Sequence, residues 1–223
     1  MDQRRITDYL LSLEKEEDGF LSQLRDRCEL ENIPIIRKET ESLLRTLTVL
    51  RRPEKILELG TAVGYSSIVM ERALCGMGHI ITVESYSKRI PMALKNIRDA
   101  GFSGRINLLN EDADRALCAL RASGLHLPEA GSGFDLVFMD AAKGQYLNWL
   151  PKVLDMMNLG GLLVCDNVLQ DFTVMESRFT VERRDRTIHE RMREFLYEIK
   201  HSERLESSVI PIGDGVSISV KLY

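Results

Sequence analysis

Five apolar runs in this chain lead into acids: Glu58 in ILELG, Glu84 in HIITVES, Glu111 and Asp112 in RINLLNED, Asp140 in FDLVFMDA, and Asp166 with Asn167 in GGLLVCDNV. One acid at such a point is ordinarily a helix cap. Recurrence at every run calls for more than capping. Asp140, Asp166 and Asn167 offer only hard oxygen atoms, a set suited to Mg²⁺, or Mn²⁺ and Ca²⁺, rather than to a soft metal. Three protein oxygens would leave room in an octahedral shell for water and two substrate oxygens. Lys143 follows Asp140 by three residues. A divalent cation disfavours the charged form of a nearby amine, so Lys143 is a candidate base; the alternative is a solvated surface lysine. Glu84 and Asp112 suit a nucleoside instead. Glu84 stands roughly 20 residues beyond a glycine turn, the spacing of a carboxylate that holds ribose hydroxyls. Asp112, with the backbone of Ala113, could hydrogen-bond an adenine edge.

These residues need elements to position them. ILELGTAVGYSS (56–67) reads as a buried strand, a turn on Gly60 and Gly64, and the start of a helix. Glycines let the backbone approach a ligand, and the free N–H groups of the helix face it, although a purely structural βα turn has the same glycines. The alternation then repeats. Strands are predicted at 79–85, 105–112, 134–141 and 160–168, and helices at 88–101, 113–123, 145–157 and 184–200. FDLVFMDA is apolar enough to be covered on both faces. LESSVIPI and GVSISVKLY, separated by GDG, read as a closing hairpin. Repeated βα units predict a doubly wound, Rossmann-like α/β sheet with helices on both faces and a C-terminal antiparallel hairpin. Ligands of such sheets bind beyond the carboxyl ends of the strands, where the acids lie.

Ahead of this core, helices are predicted over 2–18, over 19–31 and from about Lys38 to a stop before Pro53, the last preceded by an apolar extended stretch, Pro34–Arg37. At 223 residues, one domain spanning 1–223 is expected, with 1–52 as helices that cap the site or form a dimer interface and 53–223 as the core. A hydrophobic content of 44% without a membrane-length apolar run predicts no membrane span. The charged N-terminus is a poor signal peptide. Four cysteines without CxxC spacing, three of them in apolar surroundings, predict reduced, buried thiols and a cytoplasmic protein. A net charge of −4 gives no overall drive toward nucleic acid, though it permits a local basic patch.

ELGTAVGYSS, ITVES, NEDA, FMDAAKGQY and CDNV together resemble the metal-dependent S-adenosylmethionine O-methyltransferases, which include the catechol and caffeoyl-CoA methyltransferases. The resemblance runs from about Pro34 to the C-terminal GDGVSISVKLY. It implies a seven-stranded mixed sheet, commonly dimeric, with S-adenosylmethionine along the strand ends. It places the methionine end of the donor on Glu58, Gly60, Gly64, Tyr65 and Ser66, the ribose on Glu84, and the adenine on Asp112 and Ala113. It assigns the metal to Asp140, Asp166 and Asn167 and the base to Lys143, with Asp140 also beside the donor. Ile35 and Ile36 fall in the segment that closes over donor and acceptor. Val63 departs from the GTATG of many relatives. For the chemistry, a sulfonium methyl transfer needs a deprotonated oxygen in line with the methyl carbon.

The acceptor is approached through RFTVERRDRTIHERMR (178–193), which holds Arg178, Arg183, Arg184, Arg186, Arg191 and Arg193. Arginine clusters bind phosphate bidentately; a solvated helix face with paired charges is the alternative. The stretch resembles the bacterial branch that methylates 5-hydroxyuridine at the wobble position of the tRNA anticodon loop, which would make Arg183, Arg184 and Arg186 RNA contacts. The competing acceptor is a small catechol-type phenol, in a closed apolar pocket walled by Trp149, Tyr146 or Met175. A nicotinamide dehydrogenase also needs a glycine turn and a ribose acid, but the turn is not GxGxxG and that chemistry has no use for Asp140, Asp166 and Asn167. A non-catalytic nucleotide-binding module is a further alternative.

Overall fold

The structure, a computed structural model, describes residues 3–15, 19–124, 132–170, 172–177 and 179–223. Three helices come first: α1 (Gln3–Ser12), α2 (Gly19–Leu30) and α3 (Lys38–Arg51). The alternating core follows as β1 (Lys55–Leu59), α4 (Tyr65–Leu74), β2 (His79–Glu84), α5 (Ile90–Asp99), β3 (Ile106–Asn110), α6 (Ala113–Ala122), β4 (Phe134–Met139), α7 (Tyr146–Met156) and β5 (Met157–Cys165). The chain closes with α8 (Arg186–His201), β6 (Leu205–Ile210) and β7 (Val216–Lys221). Each predicted element has a counterpart, although the helix expected over 2–18 is seen as Gln3–Ser12 and residues 2 and 16–18 lie outside the described residues. Element ends shift by a few residues where a cap or turn, rather than apolar periodicity, decides the boundary.

The seven strands form one sheet in the order β3-β2-β1-β4-β5-β7-β6. The first five are parallel, and β7 runs antiparallel to both β5 and β6. Alternate side chains serve opposite faces, as strand geometry requires. Leu57, Val137 and Leu163 pack with α6, α7 and α8, whereas Ile56, Leu136 and Val164 pack with α2 to α5.

Register explains the site. Leu59 pairs with Val83 and with Met139, and Met139 pairs with Cys165. The next residues, Gly60, Glu84, Asp140 and Asp166, therefore leave the sheet side by side. Because the strand order reverses at β1 and β4, the crossovers on either side diverge there and open a crevice. Gly60 has φ +103°, and a Cβ there would collide with the Asp140 carbonyl oxygen. Only glycine lets the two strand ends lie this close.

Two of the four cysteines, Cys28 and Cys165, are buried, while Cys75 and Cys118 are exposed. The expectation of three buried thiols is corrected: apolar neighbours in sequence did not bring Cys75 and Cys118 into the core. Among the described residues no helix is long and apolar enough to cross a membrane.

Candidate active site

A cavity of about 750 Å³ opens at the carboxyl edge of the parallel strands. Its walls carry Gly60, Glu84, Asp112 and Ala113 from β1, β2 and β3, and Asp140, Lys143, Asp166 and Asn167 from β4 and β5. Strand order separates the two groups, so the nucleoside-type residues lie on one side of the β1–β4 crevice and the oxygen donors on the other. Pro34 and Ile35 also line the cavity, which accounts for the apolar loop. Ile36 points into the core, and its carbonyl accepts from both terminal nitrogens of the Arg25 guanidinium at 3.2 Å.

Glu84 is held against the turn. One oxygen accepts from the Ala62 N–H at 2.8 Å, and the other from the N–H groups of Ser85 and Tyr86 at 3.0 and 2.8 Å. Asp112 is a helix cap as well as a wall: its Oδ1 accepts from the N–H groups of Asp114 and Arg115 at 3.0 and 3.3 Å.

Glu58, Gly64, Tyr65 and Ser66 lie beneath the cavity rather than on its wall. Glu58 is fully buried; it accepts from the Ser66 and Thr82 hydroxyls, each at 2.5 Å, and from the Ser67 hydroxyl. Burial pushes its carboxyl up to about 6, and the three hydroxyls oppose the rise. The carboxylate thus joins β1 to β2 and to the first turn of α4, which follows the left-handed Gly64. Tyr65 donates at 2.7 Å to buried Glu41, which also receives Arg25 at 2.7 Å. Helices α2 and α3, the turn and the Pro34–Arg37 segment are joined by this one network.

On the other side, Lys143 Nζ donates to Asp140 Oδ1 at 2.6 Å. Asp166 is 2% exposed; burial, and next the Asp140 carboxylate, raise its carboxyl well above the usual range. Its Oδ1 accepts from the Asn167 N–H at 2.8 Å, and among the described residues no hydrogen bond reaches its Oδ2. Asn167 has φ 58°, a left-handed conformation that asparagine tolerates better than most residues. Among the described residues no three His, Cys, Asp or Glu side chains are gathered for a metal. The candidate set has two carboxylates, and its third member is an amide.

Sequence reasoning missed several contributors and gave Tyr146 a different place, on an acceptor wall. Tyr146, buried in the core, donates to the carbonyls of Met139 and Asp166 at 2.8 and 3.3 Å, tying together the ends of β4 and β5. Arg37, Arg89, Gln145 and Asp214 line the cavity. Of the three proposed acceptor walls, only Trp149 reaches it; Tyr146 lies behind, and Met175 is exposed outside.

The arginines divide. Arg186 Nε donates to the Val181 carbonyl at 3.1 Å, Arg191 to Gly144 at 2.8 Å, and Arg193 to Val174 and Glu176 at 3.4 Å. Arg184 pairs with Glu182 and Asp185, and Arg183 is exposed. Arg178 lies outside the described residues.

Residues 12–222 match the family model described as O-methyltransferase. The catechol O-methyltransferase of Niastella koreensis is 37% identical over 138 residues, which are 61% of this chain and 59% of that enzyme's length. The flavonoid 3',5'-methyltransferase of Vitis vinifera is 30% identical across 98% of this chain and 94% of that protein. Among solved structures, the O-methyltransferase TomG of Streptomyces achromogenes, in complex with SAM, covers 100% of both chains at 26% identity with a TM-score of 0.82. The Bacillus cereus O-methyltransferase in complex with SAH gives a TM-score of 0.84 over 97% of each chain, and at 22% identity that likeness carries the fold alone. With the family match spanning nearly the whole length, the chain belongs to the O-methyltransferase family.

Proposed function

We propose that this protein is a divalent-metal-dependent enzyme that moves a methyl group from S-adenosylmethionine to a hydroxyl lying next to a second oxygen. The observation that carries this reading is the shared cavity, with Glu84, Asp112 and Gly60 on one side and Asp140, Lys143, Asp166 and Asn167 on the other. The donor's ribose is assigned to Glu84, its adenine to Asp112 and Ala113, and its methionine end to the Gly60 turn. Glu58, Gly64, Tyr65 and Ser66 act by holding that turn in place. The donor set of the other wall fits a hard cation: it offers two carboxylates and an amide, Lys143 pairs with Asp140 Oδ1, and buried Asp166 keeps an oxygen with no hydrogen bond among the described residues. A divalent ion held by Asp140, Asp166 and Asn167 would favour the deprotonated acceptor hydroxyl. Lys143 is paired with Asp140 here; a cation held by Asp140 would take over that carboxylate and favour the neutral amine, and only in that form would Lys143 receive the proton. The oxygen–carbon bond forms as the sulfur–carbon bond breaks, leaving S-adenosylhomocysteine. Fixing both partners in line is worth several kcal/mol, about 7–11 in favourable model cases.

For the acceptor we favour 5-hydroxyuridine in a tRNA anticodon loop. That base carries its hydroxyl beside a carbonyl, and an unpaired loop base costs little to splay into a pocket. The charged lining, with Arg37, Arg89 and Asp214, supports a polar acceptor, and exposed Arg183 offers a contact to phosphate, as would Arg184 once freed from its surface pairs with Glu182 and Asp185. Arg186 supports this less, since its Nε is engaged with Val181. A small catechol-type acceptor is the second reading, favoured by the names of the relatives. Residues 1–52 are read as part of the same functional unit, joined to it through Arg25 and Glu41. Exposed Ile6, Tyr9, Leu10 and Leu13 support a homodimer, and a tRNA substrate accords with work in the cytoplasm.

The test is labelled S-adenosylmethionine with Mg²⁺ against catechols and against tRNA carrying 5-hydroxyuridine. Label in tRNA, weakened steeply by salt and by neutralising Arg183 and Arg184, is the expected result. Label in catechols alone would replace the acceptor, and full activity after exhaustive chelation would refute the metal.

A further inference from the structure

Asp214 lies in the GDG turn between β6 and β7, far in sequence from Asp140 and Asp166. Because β7 runs antiparallel to β5, the turn before β7 comes to the same sheet edge as the carboxyl ends of the parallel strands. Cys165 pairs with Ser217, Val168 N–H donates to the Gly215 carbonyl at 2.9 Å, and Leu169 N–H to the Asp214 carbonyl at 2.9 Å. The register is closely packed: Gly215 has φ +86°, and a Cβ there would collide with Leu169. Asp214 is thereby set beside Asn167, and its Oδ2 accepts from Asn167 Nδ2 at 3.1 Å. Its carboxylate also forms an ion pair with Arg37, the residue at which the cavity-lining Pro34–Arg37 segment turns into α3.

A carboxamide has one face that accepts and one that donates, and only its oxygen can ligate a cation. An acceptor fixed on the nitrogen side determines which face turns to the cavity. We infer that Asp214 is a positioning residue: it holds the Asn167 amide with its oxygen free for the metal, and through Arg37 it links that ligand to the cavity-lining Pro34–Arg37 segment. This role rests on the metal reading given above. It gives the C-terminal hairpin a task in the reaction, although neither of its strands ends in a ligand.

The test reads metal binding rather than turnover. Mn²⁺ is titrated by electron paramagnetic resonance into the wild-type chain and into Asp214→Ala, Asp214→Asn and Arg37→Ala, with S-adenosylmethionine affinity measured by calorimetry in parallel. Asp214→Ala is expected to weaken Mn²⁺ by roughly 10–100-fold, the usual effect of losing a residue that orients a ligand, while donor affinity changes little. Asp214→Asn keeps an oxygen for the Asn167 amide and should restore most of the loss. Arg37→Ala should leave Mn²⁺ affinity nearer wild type. Mn²⁺ affinity unchanged in Asp214→Ala, or equally poor in Asp214→Asn and Asp214→Ala, overturns the role while leaving the metal site intact. Should Asp214→Ala fail to fold, Asp214→Asn and Arg37→Ala decide: Mn²⁺ affinity lost in Asp214→Asn would then overturn it. A wild-type chain that binds no Mn²⁺ overturns the metal reading itself, and this role with it.

Discussion

Glu71 offers a quantitative test of how the helix behind the donor turn is balanced. It lies on α4, is 1% exposed, and among the described residues neither carboxyl oxygen has a hydrogen-bond partner. Arg105 Nε stands 3.7 Å from it on a side chain that is 40% exposed. Burial moves the carboxyl from 4.5 up to about 7, with Arg105 opposing. In the unfolded chain the group returns to its ordinary value. Between those two pH values the native state therefore binds the extra proton, and stability must fall as pH rises. The cost is absent below 4.5 and complete above 7. A shift of that size corresponds to about 3 kcal/mol; relaxation and water penetration around the ionised carboxylate reduce such burial penalties, so about 2 kcal/mol is the expectation. Glu71→Gln mimics the protonated acid. Its stability should exceed wild type by only about 0.5 kcal/mol at pH 5 and by about 2 kcal/mol at pH 8, the latter roughly 4–8 °C in Tm for a chain of this length. Urea unfolding at both pH values, followed by the fluorescence of the single buried tryptophan, Trp149, measures this, with an unchanged m-value expected. A difference between variant and wild type that is the same at pH 5 and pH 8, or a variant less stable at pH 8, would refute the reasoning.

Asp166→Ala should abolish turnover and leave S-adenosylmethionine binding nearly intact in calorimetry; equal loss of both would remove Asp166 from the acceptor side. Glu84→Ala removes the carboxylate that receives the N–H groups of Ala62, Ser85 and Tyr86 and faces the cavity, so donor affinity should fall roughly 10–100-fold, about 1.4–2.8 kcal/mol. An unchanged dissociation constant would show that the ribose is held elsewhere. Gly60→Ala combines a left-handed backbone with a collision against the Asp140 carbonyl and should destabilise the fold by about 3 kcal/mol or more. A normally stable, active Gly60→Ala protein would contradict the close approach of β1 and β4.

Much of this protein was determined by the sequence alone. The βα alternation specified a doubly wound sheet, because apolar runs of strand length separated by helical periodicity have few other ways to bury their faces. The acids after those runs located the cavity edge, because residues that follow parallel strands emerge together at one edge of the sheet. Tertiary structure decided which way those side chains point. Glu58 and Glu84 both belong to strands that end at the site, yet one is enclosed by Ser66, Ser67 and Thr82 while the other lines the cavity. Alternation along a strand says that neighbours face oppositely; it does not say which face a turn will cover. The arginines of 183–193 look alike in sequence, but Arg186, Arg191 and Arg193 reach main-chain carbonyls supplied by other segments. Asp214 was invisible for the same reason: its partners, Arg37 and Asn167, are distant along the chain, and the antiparallel register of β7 on β5 brings them together.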